Sequence, residues 1–295
     1  MLRFIFIIIL SVVGFVPDVM ATKRALLIGI GDYDAVHTGW NAIHGDDDVA
    51  LLAPVLEKHG FKVSSVVNEK AVKTGIVAAL KKLAKECGAG DKVYIHFSGH
   101  GQPVVDCNGD EKRGYDEAFV PYDAYKSERF TVKERPYGGE NHLVDDELAP
   151  LIEAVRGKLG SGGELFIAFD ACYSRGLERG EELDDTLDMD ELPEFMRGTA
   201  DYLKPSDRSH LLSIPVPEKF KPGYPMAVVS ACRETERNFE HRVGNRYYGS
   251  LSYCIYKLLH KNDDFNSWIK YFQTKAYDAS GCFVRFQHPE ITVYK

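Results

Sequence analysis

The sequence lacks several signatures that would place a protein of this length in a common functional class. Its six cysteines form no C-x-x-C pair and no zinc-binding spacing, and His96 and His100 do not form an H-E-x-x-H motif. Positive charge is not in excess, because 36 Lys and Arg stand against 44 Asp and Glu. We therefore expect neither a disulfide-rich scaffold nor a zinc enzyme, and we expect no nucleic-acid partner.

Long apolar runs are also missing after the N-terminus. Residues 1–21 combine a cationic start at Arg3, an apolar run from Phe4 to Val16 and a small residue at Ala21. This pattern is typical of a secretory signal peptide, and it predicts export to the periplasm or the extracellular space. An uncleaved membrane anchor is the alternative, but the run is shorter than the roughly 20 residues that a spanning helix needs. We expect no stable membrane insertion after cleavage.

The rest of the chain alternates short apolar runs with amphipathic stretches, which predicts an α/β fold with a mostly parallel sheet covered by helices. Strands are predicted at 25–30, 61–67, 92–97, 164–169 and 226–230, and helices at 47–59, 72–87, 145–159 and 250–259. Two segments, 101–141 and 174–225, are too long and polar for simple connections. Loops of this length are usually functional or flexible.

Two predicted strands end in residues that could carry chemistry. One runs into His100, and the other runs into Asp170 and Cys172. The carboxyl ends of parallel strands share one sheet edge, where open α/β sheets place their ligands. An imidazole that faces a thiol there can generate the thiolate nucleophile used in acyl transfer. Taken singly, a cysteine or a histidine at a strand end is more often structural.

At these residues the chain resembles the caspase-like cysteine peptidases, and bacterial metacaspases most closely. The resemblance extends from Lys23 to about His260 and depends on five motifs in order. They are H-F-S-G-H-G at 96–101, G-Y-D-E-A-F-V-P-Y-D at 114–123, L-V-D-D-E-L at 143–148, D-A-C-Y-S at 170–174 and S-A-C-R at 230–233. The resemblance implies a caspase-like αβα sandwich.

The resemblance also implies a domain organisation. Residues 22–295 would form one peptidase domain, and the protein would be a monomer. A large-subunit-like part would cover 22–173, a flexible linker 174–225 and a small-subunit-like part 226–295.

The resemblance assigns catalysis to a dyad. Cys172 would attack the scissile carbonyl and His100 would protonate the leaving amine, while the backbone N–H groups of Gly101 and Cys172 would stabilise the oxyanion. This chemistry requires no cofactor.

Specificity follows from the same resemblance. Asp48 and Asp170 match the two acids of a pocket that accepts Arg or Lys, and Ser98 matches a pocket hydroxyl. Carboxylates at the base of a narrow pocket select a cationic side chain through charge-assisted hydrogen bonds. For the neighbouring Asp46 and Asp47, capping of a helix N-terminus is an equally good interpretation.

A calcium activator is the remaining question about the site. In calcium-activated relatives, residues that match Asp116, Asp145 and Asp146 form an oxygen-ligand site. The alternative for Asp145 and Asp146 is helix capping. An EF-hand interpretation of Asp106, Asn108, Asp110 and Glu117 is weaker, because position 6 is Glu111 instead of Gly and no helices flank the loop.

The sequence therefore predicts an exported cysteine endopeptidase that cuts proteins or peptides after Arg or Lys. The basic residues between 175 and 221 make that segment a candidate for self-cleavage. Two alternatives stay open: a catalytically weak caspase-fold binding or scaffold protein, and a hydrolase of the same fold that accepts asparagine or another residue.

Overall fold

A six-stranded sheet forms the middle of the part of the chain that the computed structural model describes, which is residues 21–112, 114–132, 134–171, 195–199, 201–215, 220 and 222–295. Its strands are β1 (Lys23–Gly29), β2 (Lys62–Val67), β3 (Lys92–Ser98), β9 (Glu164–Asp170), β10 (Met226–Ser230) and β13 (Glu290–Tyr294). Their order across the sheet is β13-β10-β9-β3-β1-β2. All neighbours pair in parallel except β13, which lies antiparallel to β10 at one edge.

Helices cover both faces of this sheet, as the sequence predicted. They are α1 (Ala35–Thr38), α2 (Gly45–Lys58), α3 (Lys73–Glu86), α4 (Asp145–Leu159), α5 (Ser250–Leu259) and α6 (Phe265–Gln273). Successive side chains of a strand point to opposite faces. Leu26 and Ile28 of β1 therefore join the apolar cluster beneath α3 and α4, whereas Ala25 and Leu27 join the cluster beneath α2, α5 and α6. The α/β sandwich with a mostly parallel sheet is confirmed.

The carboxyl ends of β1, β3 and β9 meet at one edge of the sheet. Ser98, the last residue of β3, is paired with Asp170, the last residue of β9. From β1 the chain proceeds to β2 on one side and then to β3 on the other, which makes this edge a topological switch point. Such a point leaves a crevice in which α/β proteins bind ligands.

Smaller sheets surround that edge. A three-stranded sheet contains β4 (Gly101–Val105), β5 (Tyr115–Phe119) and β8 (Leu143–Val144), and two hairpins are formed by β6 (Thr131–Val132) with β7 (Arg135–Pro136) and by β11 (Glu240–Val243) with β12 (Arg246–Gly249). The polar segment 101–141, predicted only as a long loop, therefore contains four short strands, β4 to β7. Its short strands pair with one another, and local periodicity does not reveal such pairing.

Part of the predicted flexible linker is packed against the domain. Leu203 forms a parallel bridge with Val104 of β4, and Leu203, Leu211 and Ile214 are buried in a third apolar cluster. Apolar burial and backbone pairing hold this stretch, so the prediction of flexibility does not apply to it. Of the segment 175–221 predicted for self-cleavage, residues 175–194 lie outside the described residues.

The predicted signal peptide also lies outside the described residues, apart from Ala21. Among the residues that are described, no helix combines the length and the apolar character needed to cross a membrane.

Candidate active site

His100 lies just beyond the end of β3 and is held in one orientation by its surroundings. Only 3% of its surface is exposed, and its ring stacks on the indole of Trp40 at a centroid distance of 4.9 Å. The Nε2 atom lies 2.8 Å from the carbonyl oxygen of Asn41. The Nδ1 atom accepts a hydrogen bond of 2.8 Å from the backbone N–H of Gly198. These partners define a neutral imidazole that carries its proton on Nε2.

Burial keeps His100 in that neutral form. The pKa of His100 is lowered to about 4, chiefly because burial removes its hydration. The nearby Arg197 charge also lowers this pKa, while the hydrogen bond to Asn41 opposes the shift. The Asn41 carbonyl acts as the group that orients the imidazole. No sequence pattern marks this group, because any residue type supplies a backbone carbonyl.

A buried pocket beside His100 holds the guanidinium group of Arg197. Its Nη1 atom lies 2.8 Å from the Asp48 carboxylate and donates to the Ser98 hydroxyl over 2.6 Å. Ser98 in turn donates to Asp48 over 2.6 Å. All three side chains are fully buried. Asp48 and Ser98, which the sequence assigns to an acidic pocket for Arg or Lys, are thus in direct contact with a cationic side chain.

Asp170 forms another wall of this pocket and is fixed by hydrogen bonds. Its Oδ1 accepts from the Asn238 amide over 2.7 Å, and its Oδ2 accepts from both the backbone N–H and the hydroxyl of Ser252 over 2.7 Å. The distance from Oδ1 to Nη1 of Arg197 is 3.6 Å. Asp170 therefore acts on the guanidinium mainly through its charge. Its own geometry is set by Ser252 of α5 and by Asn238, two residues before β11.

A third acid, Glu240, completes the pocket. Its Oε1 atom accepts from Nε and Nη2 of Arg197 over 3.1 and 2.8 Å, and it is also fully desolvated. His44, at the start of α2, contacts the same carboxylate through its backbone N–H and its Nδ1 atom. Neither Glu240 nor Arg197 was assigned to the pocket from the sequence.

Three carboxylates around one guanidinium produce strong electrostatic coupling. The pKa of Asp48 is raised to about 7, because the effects of burial and of the Asp170 charge together outweigh the lowering by Arg197. Burial alone would lower the pKa of Arg197, but the three acids raise it overall. The pocket is therefore built for a cation, and without one its acids would repel one another.

The floor of the pocket requires a residue without a side chain. A Cβ atom on Gly249 would lie 2.0 Å from Oδ2 of Asp170 and 2.5 Å from Nη1 of Arg197. The backbone N–H of Gly249 donates to Asp48 over 2.9 Å. Glycine at this position both opens the pocket and supplies a hydrogen bond to it.

The segment that carries Arg197 lies along the pocket like an added β-strand. Met196 bridges Phe239 in antiparallel fashion, the Arg197 N–H donates to the Asn238 carbonyl, and the Glu240 N–H donates to the Phe195 carbonyl. Extended peptides bind to exposed strand edges in this way, with backbone bonds supplying affinity and side-chain pockets supplying specificity.

The Arg197–Gly198 peptide bond lies beside the His100 imidazole as a result. The Gly198 nitrogen is the atom bonded to His100, and the following Thr199 N–H donates to the Gly101 carbonyl over 3.3 Å. Cys172, the expected nucleophile, lies outside the described residues, which stop at Ala171 after β9. The oxyanion role of Gly101 stays a prediction; the structure places this residue at the start of β4, directly after His100.

A cluster of acids lies at the β4–β5 hairpin, apart from the pocket. Carboxylate oxygens of Asp106, Asp110 and Asp116 lie within 4.8 Å of one another. The pKa of Asp116 is raised to about 8, first by burial and then by the charges of Asp145 and Asp146. Strands, and not helices, flank the hairpin loop, so the EF-hand interpretation does not describe it.

Two members of this acidic region have buried oxygens without partners. Among the described residues, Oδ1 of Asp116 and Oδ1 of Asp145 accept no hydrogen bond, whereas the Asn108 amide donates to Asp146. Asp116 is only 4% exposed. Oxygen ligands of this kind suit a hard cation such as calcium, so the residues present fit such an ion.

Comparison with solved structures defines the class of fold. A protein from Geobacter sulfurreducens superposes with a TM-score of 0.58 and 18% identity, covering 92% of this chain and 93% of that one. Caspase-1 from Spodoptera frugiperda superposes with a TM-score of 0.53 and 15% identity, covering 92% and 88%. The chain therefore has a caspase-like fold.

Sequence comparison then identifies the family. The family described as "Metacaspase, peptidase C14 domain" matches residues 23–178. Metacaspase-1B from Aspergillus oryzae is 33% identical over 164 residues, which cover 52% of this chain and 34% of that protein. Metacaspase-1 from Schizosaccharomyces pombe is 28% identical over 163 residues, with the same coverage. The chain belongs to the metacaspase family, and it spans about a third of the length of these curated relatives.

Proposed function

We propose that this metacaspase is a cysteine endopeptidase that cuts peptide bonds after Arg or Lys and that first cuts its own chain between Arg197 and Gly198. One observation carries the proposal: the Arg197 side chain fills an acidic pocket while the next nitrogen, that of Gly198, lies 2.8 Å from His100 Nδ1. A substrate with arginine before its scissile bond requires the same two contacts at once.

The reaction at this bond can be written step by step. The Cys172 thiol passes its proton to Nδ1 of His100, and the resulting thiolate attacks the Arg197 carbonyl carbon. The oxyanion is stabilised by backbone N–H groups that include that of Gly101. As the carbon–nitrogen bond breaks, its electron pair passes to the Gly198 nitrogen, which takes a proton from Nδ1 of His100. Water then hydrolyses the thioester, which leaves a carboxylate on Arg197 and restores the thiol.

The same geometry makes the uncut chain self-inhibited. Arg197 occupies the pocket that a second substrate would need. Cleavage at Arg197 would free the chain that starts at Gly198 to leave. The self-cleavage that the sequence predicts within 175–221 is thus assigned to the bond between Arg197 and Gly198.

The proposal includes a calcium activator at the acidic cluster. Asp116 and Asp145 supply buried oxygens without partners, and Asp106, Asp110 and Asp146 surround them with negative charge. The ion would offset the repulsion between these carboxylates and order the β4–β5 hairpin. The hairpin includes β4, and Val104 of β4 forms a bridge with Leu203. Leu203 lies a few residues after the proposed cleavage site, so the hairpin contacts the segment that would be released.

Export and a monomeric state complete the proposal, and both are supported by sequence alone. The apolar N-terminal run supports a signal peptide, and the metacaspase resemblance supports a monomer.

Fluorogenic peptides test the peptidase activity. We expect peptides ending in Arg or Lys to be cleaved by the wild-type protein after incubation with calcium, and peptides ending in Asp or Asn to remain intact. The matched variant Cys172→Ala should cleave none of them. An absence of turnover on every peptide would contradict the proposal and favour the binding or scaffold alternative, while cleavage of the Asn peptide would favour the other hydrolase.

A further inference from the structure

We propose that Glu240 makes this pocket select Arg over Lys, an inference that rests on the proposed function of the same site. The sequence-based pocket contained two acids, Asp48 and Asp170, which attract either cation. Glu240 is the third acid, is 2% exposed, and opens β11 on the opposite side of the guanidinium from Asp48.

The three acids do not contact the same part of the arginine. Asp48 and Ser98 bind the Nη1 end, at 2.8 and 2.6 Å. Glu240 binds the other edge, where Nε and Nη2 both donate to its Oε1 atom. A guanidinium presents donors in a fixed fork, so a single arginine satisfies both sides of the pocket simultaneously.

A lysine cannot satisfy both sides. Its ammonium group is one compact charge, so a position close to Asp48 and Ser98 leaves Glu240 without its two donors. A position close to Glu240 abandons Asp48 instead. Because both carboxylates are buried, whichever loses its guanidinium donors is left without a neighbouring cation and with fewer hydrogen bonds, which is costly in a desolvated site. Discrimination against Lys therefore comes from a buried acid that only a guanidinium satisfies fully.

His44 holds Glu240 in the required position. The backbone N–H of His44 donates to Oε1 over 2.8 Å, and its Nδ1 atom lies 2.5 Å from Oε2. The imidazole stacks on Tyr247 and meets the edge of Phe195. Since His44 does not contact Arg197 in any of these bonds, it is a positioning residue that acts through Glu240.

Peptide turnover gives the first test. The self-cleaved enzyme and its Glu240→Gln variant are assayed on two peptides that differ only in Arg or Lys before the scissile bond. We expect the ratio of kcat/KM values, Arg over Lys, to fall at least about tenfold in Glu240→Gln, because charge-assisted hydrogen bonds to a buried acid are lost. The control Asp48→Asn should weaken both peptides to a similar extent. An unchanged ratio in Glu240→Gln would overturn the inference.

The role of His44 has its own comparison in the same assay. Asparagine can place an amide N–H where the His44 Nδ1–H lies, so His44→Asn should keep the Arg preference that His44→Ala loses. Equal ratios in the two variants would show that His44 does not act through Glu240.

The second test does not depend on turnover. In the Cys172→Ala chain, which cannot cut itself, Arg197→Lys and Glu240→Gln are combined in a double-mutant cycle monitored by urea unfolding. Arg197→Lys should lower the unfolding midpoint strongly when Glu240 is present and much less in the Glu240→Gln background. Equal effects in both backgrounds would overturn the inference. Coupling in this cycle without turnover of either peptide would contradict the proposed peptidase function. It would still support the inference that Glu240 distinguishes a guanidinium from an ammonium group.

Discussion

The backbone N–H of Gly198 donates a hydrogen bond of 2.8 Å to Nδ1 of His100. This single contact joins a residue of the predicted linker to the predicted catalytic imidazole. It places the nitrogen that peptide cleavage would release within proton-transfer distance of the group expected to protonate it.

Arg197→Ala should remove the self-inhibition. Without the guanidinium the segment 195–199 loses its anchor in the pocket, so freshly purified Arg197→Ala should cleave an Arg peptide without the lag expected of the wild type. Progress curves recorded immediately after purification measure the lag. Arg208→Ala, which replaces an exposed arginine after that segment, serves as the control and should keep the lag. A lag of the same length in Arg197→Ala would contradict the self-inhibited form.

Gly249→Ala should abolish cleavage after Arg. The added methyl group would lie 2.5 Å from Nη1 of the bound arginine and 2.0 Å from Asp170, so kcat/KM for the Arg peptide should fall by at least about a hundredfold. Gly157→Ala is the control, because a Cβ there lies in open space within α4. Circular dichroism shows whether Gly249→Ala still folds, and full activity in a folded Gly249→Ala protein would contradict the proposed pocket.

The sequence predicted the central sheet and its covering helices well because their signals are local. The bounds predicted for α4 and α5 agree with the structure, since apolar periodicity and flanking glycines mark them. The helix α6 and the edge strand β13 were not predicted. The pairing of β13 with β10 depends on tertiary contacts at a sheet edge, which its own five residues do not specify.

The residues of the pocket were likewise predicted only in part. Asp48, Ser98 and Asp170 were predicted because they belong to recognisable motifs, and the structure brings them together around a cation. Arg197 and Ser98 are 99 residues apart in sequence, and Glu240 follows Arg197 by 43. Only the folded chain brings these residues together, and no motif in the sequence marks the arginine that enters the pocket.

Stability should fall with rising pH through the titration of Asp48. Its pKa in the folded chain is about 7, above the value of about 4 expected when unfolded, because burial and Asp170 disfavour the charged form. The folded state thus binds the extra proton, and this contribution is fully present below pH 4 and is lost as pH rises through 7. Urea unfolding of the Cys172→Ala chain between pH 5 and 8 measures the loss, at most about 1.4 kcal/mol per pH unit from this group.

The Asp48→Asn substitution provides the comparison for that experiment. Asparagine does not titrate, so in the Cys172→Ala background the decline in unfolding free energy between pH 5 and 8 should be shallower with Asp48→Asn. Identical slopes in the two proteins would show that Asp48 does not titrate in this range.

Calcium should raise the thermal stability of the Cys172→Ala chain through Asp116. An ion at the acidic cluster binds the folded chain and offsets carboxylate repulsion, so saturating calcium should raise Tm by several degrees. Asp116→Asn should reduce that increase by more than half, while Asp278→Asn, an exposed acid outside the cluster, should leave it intact. Differential scanning fluorimetry with calcium titration measures the effect, and an equal increase in all three proteins would place the ion elsewhere.

Identification of the bond that the protein cuts in itself tests the central claim most directly. The purified wild-type chain is incubated with calcium, and its fragments are analysed by intact-mass spectrometry and N-terminal sequencing beside Cys172→Ala and Arg197→Ala. The proposed geometry predicts a fragment that begins at Gly198 in the wild type and in neither variant. A wild-type protein that is active on Arg peptides yet remains uncut at Arg197, or a Gly198 fragment that also forms in Cys172→Ala, would contradict it.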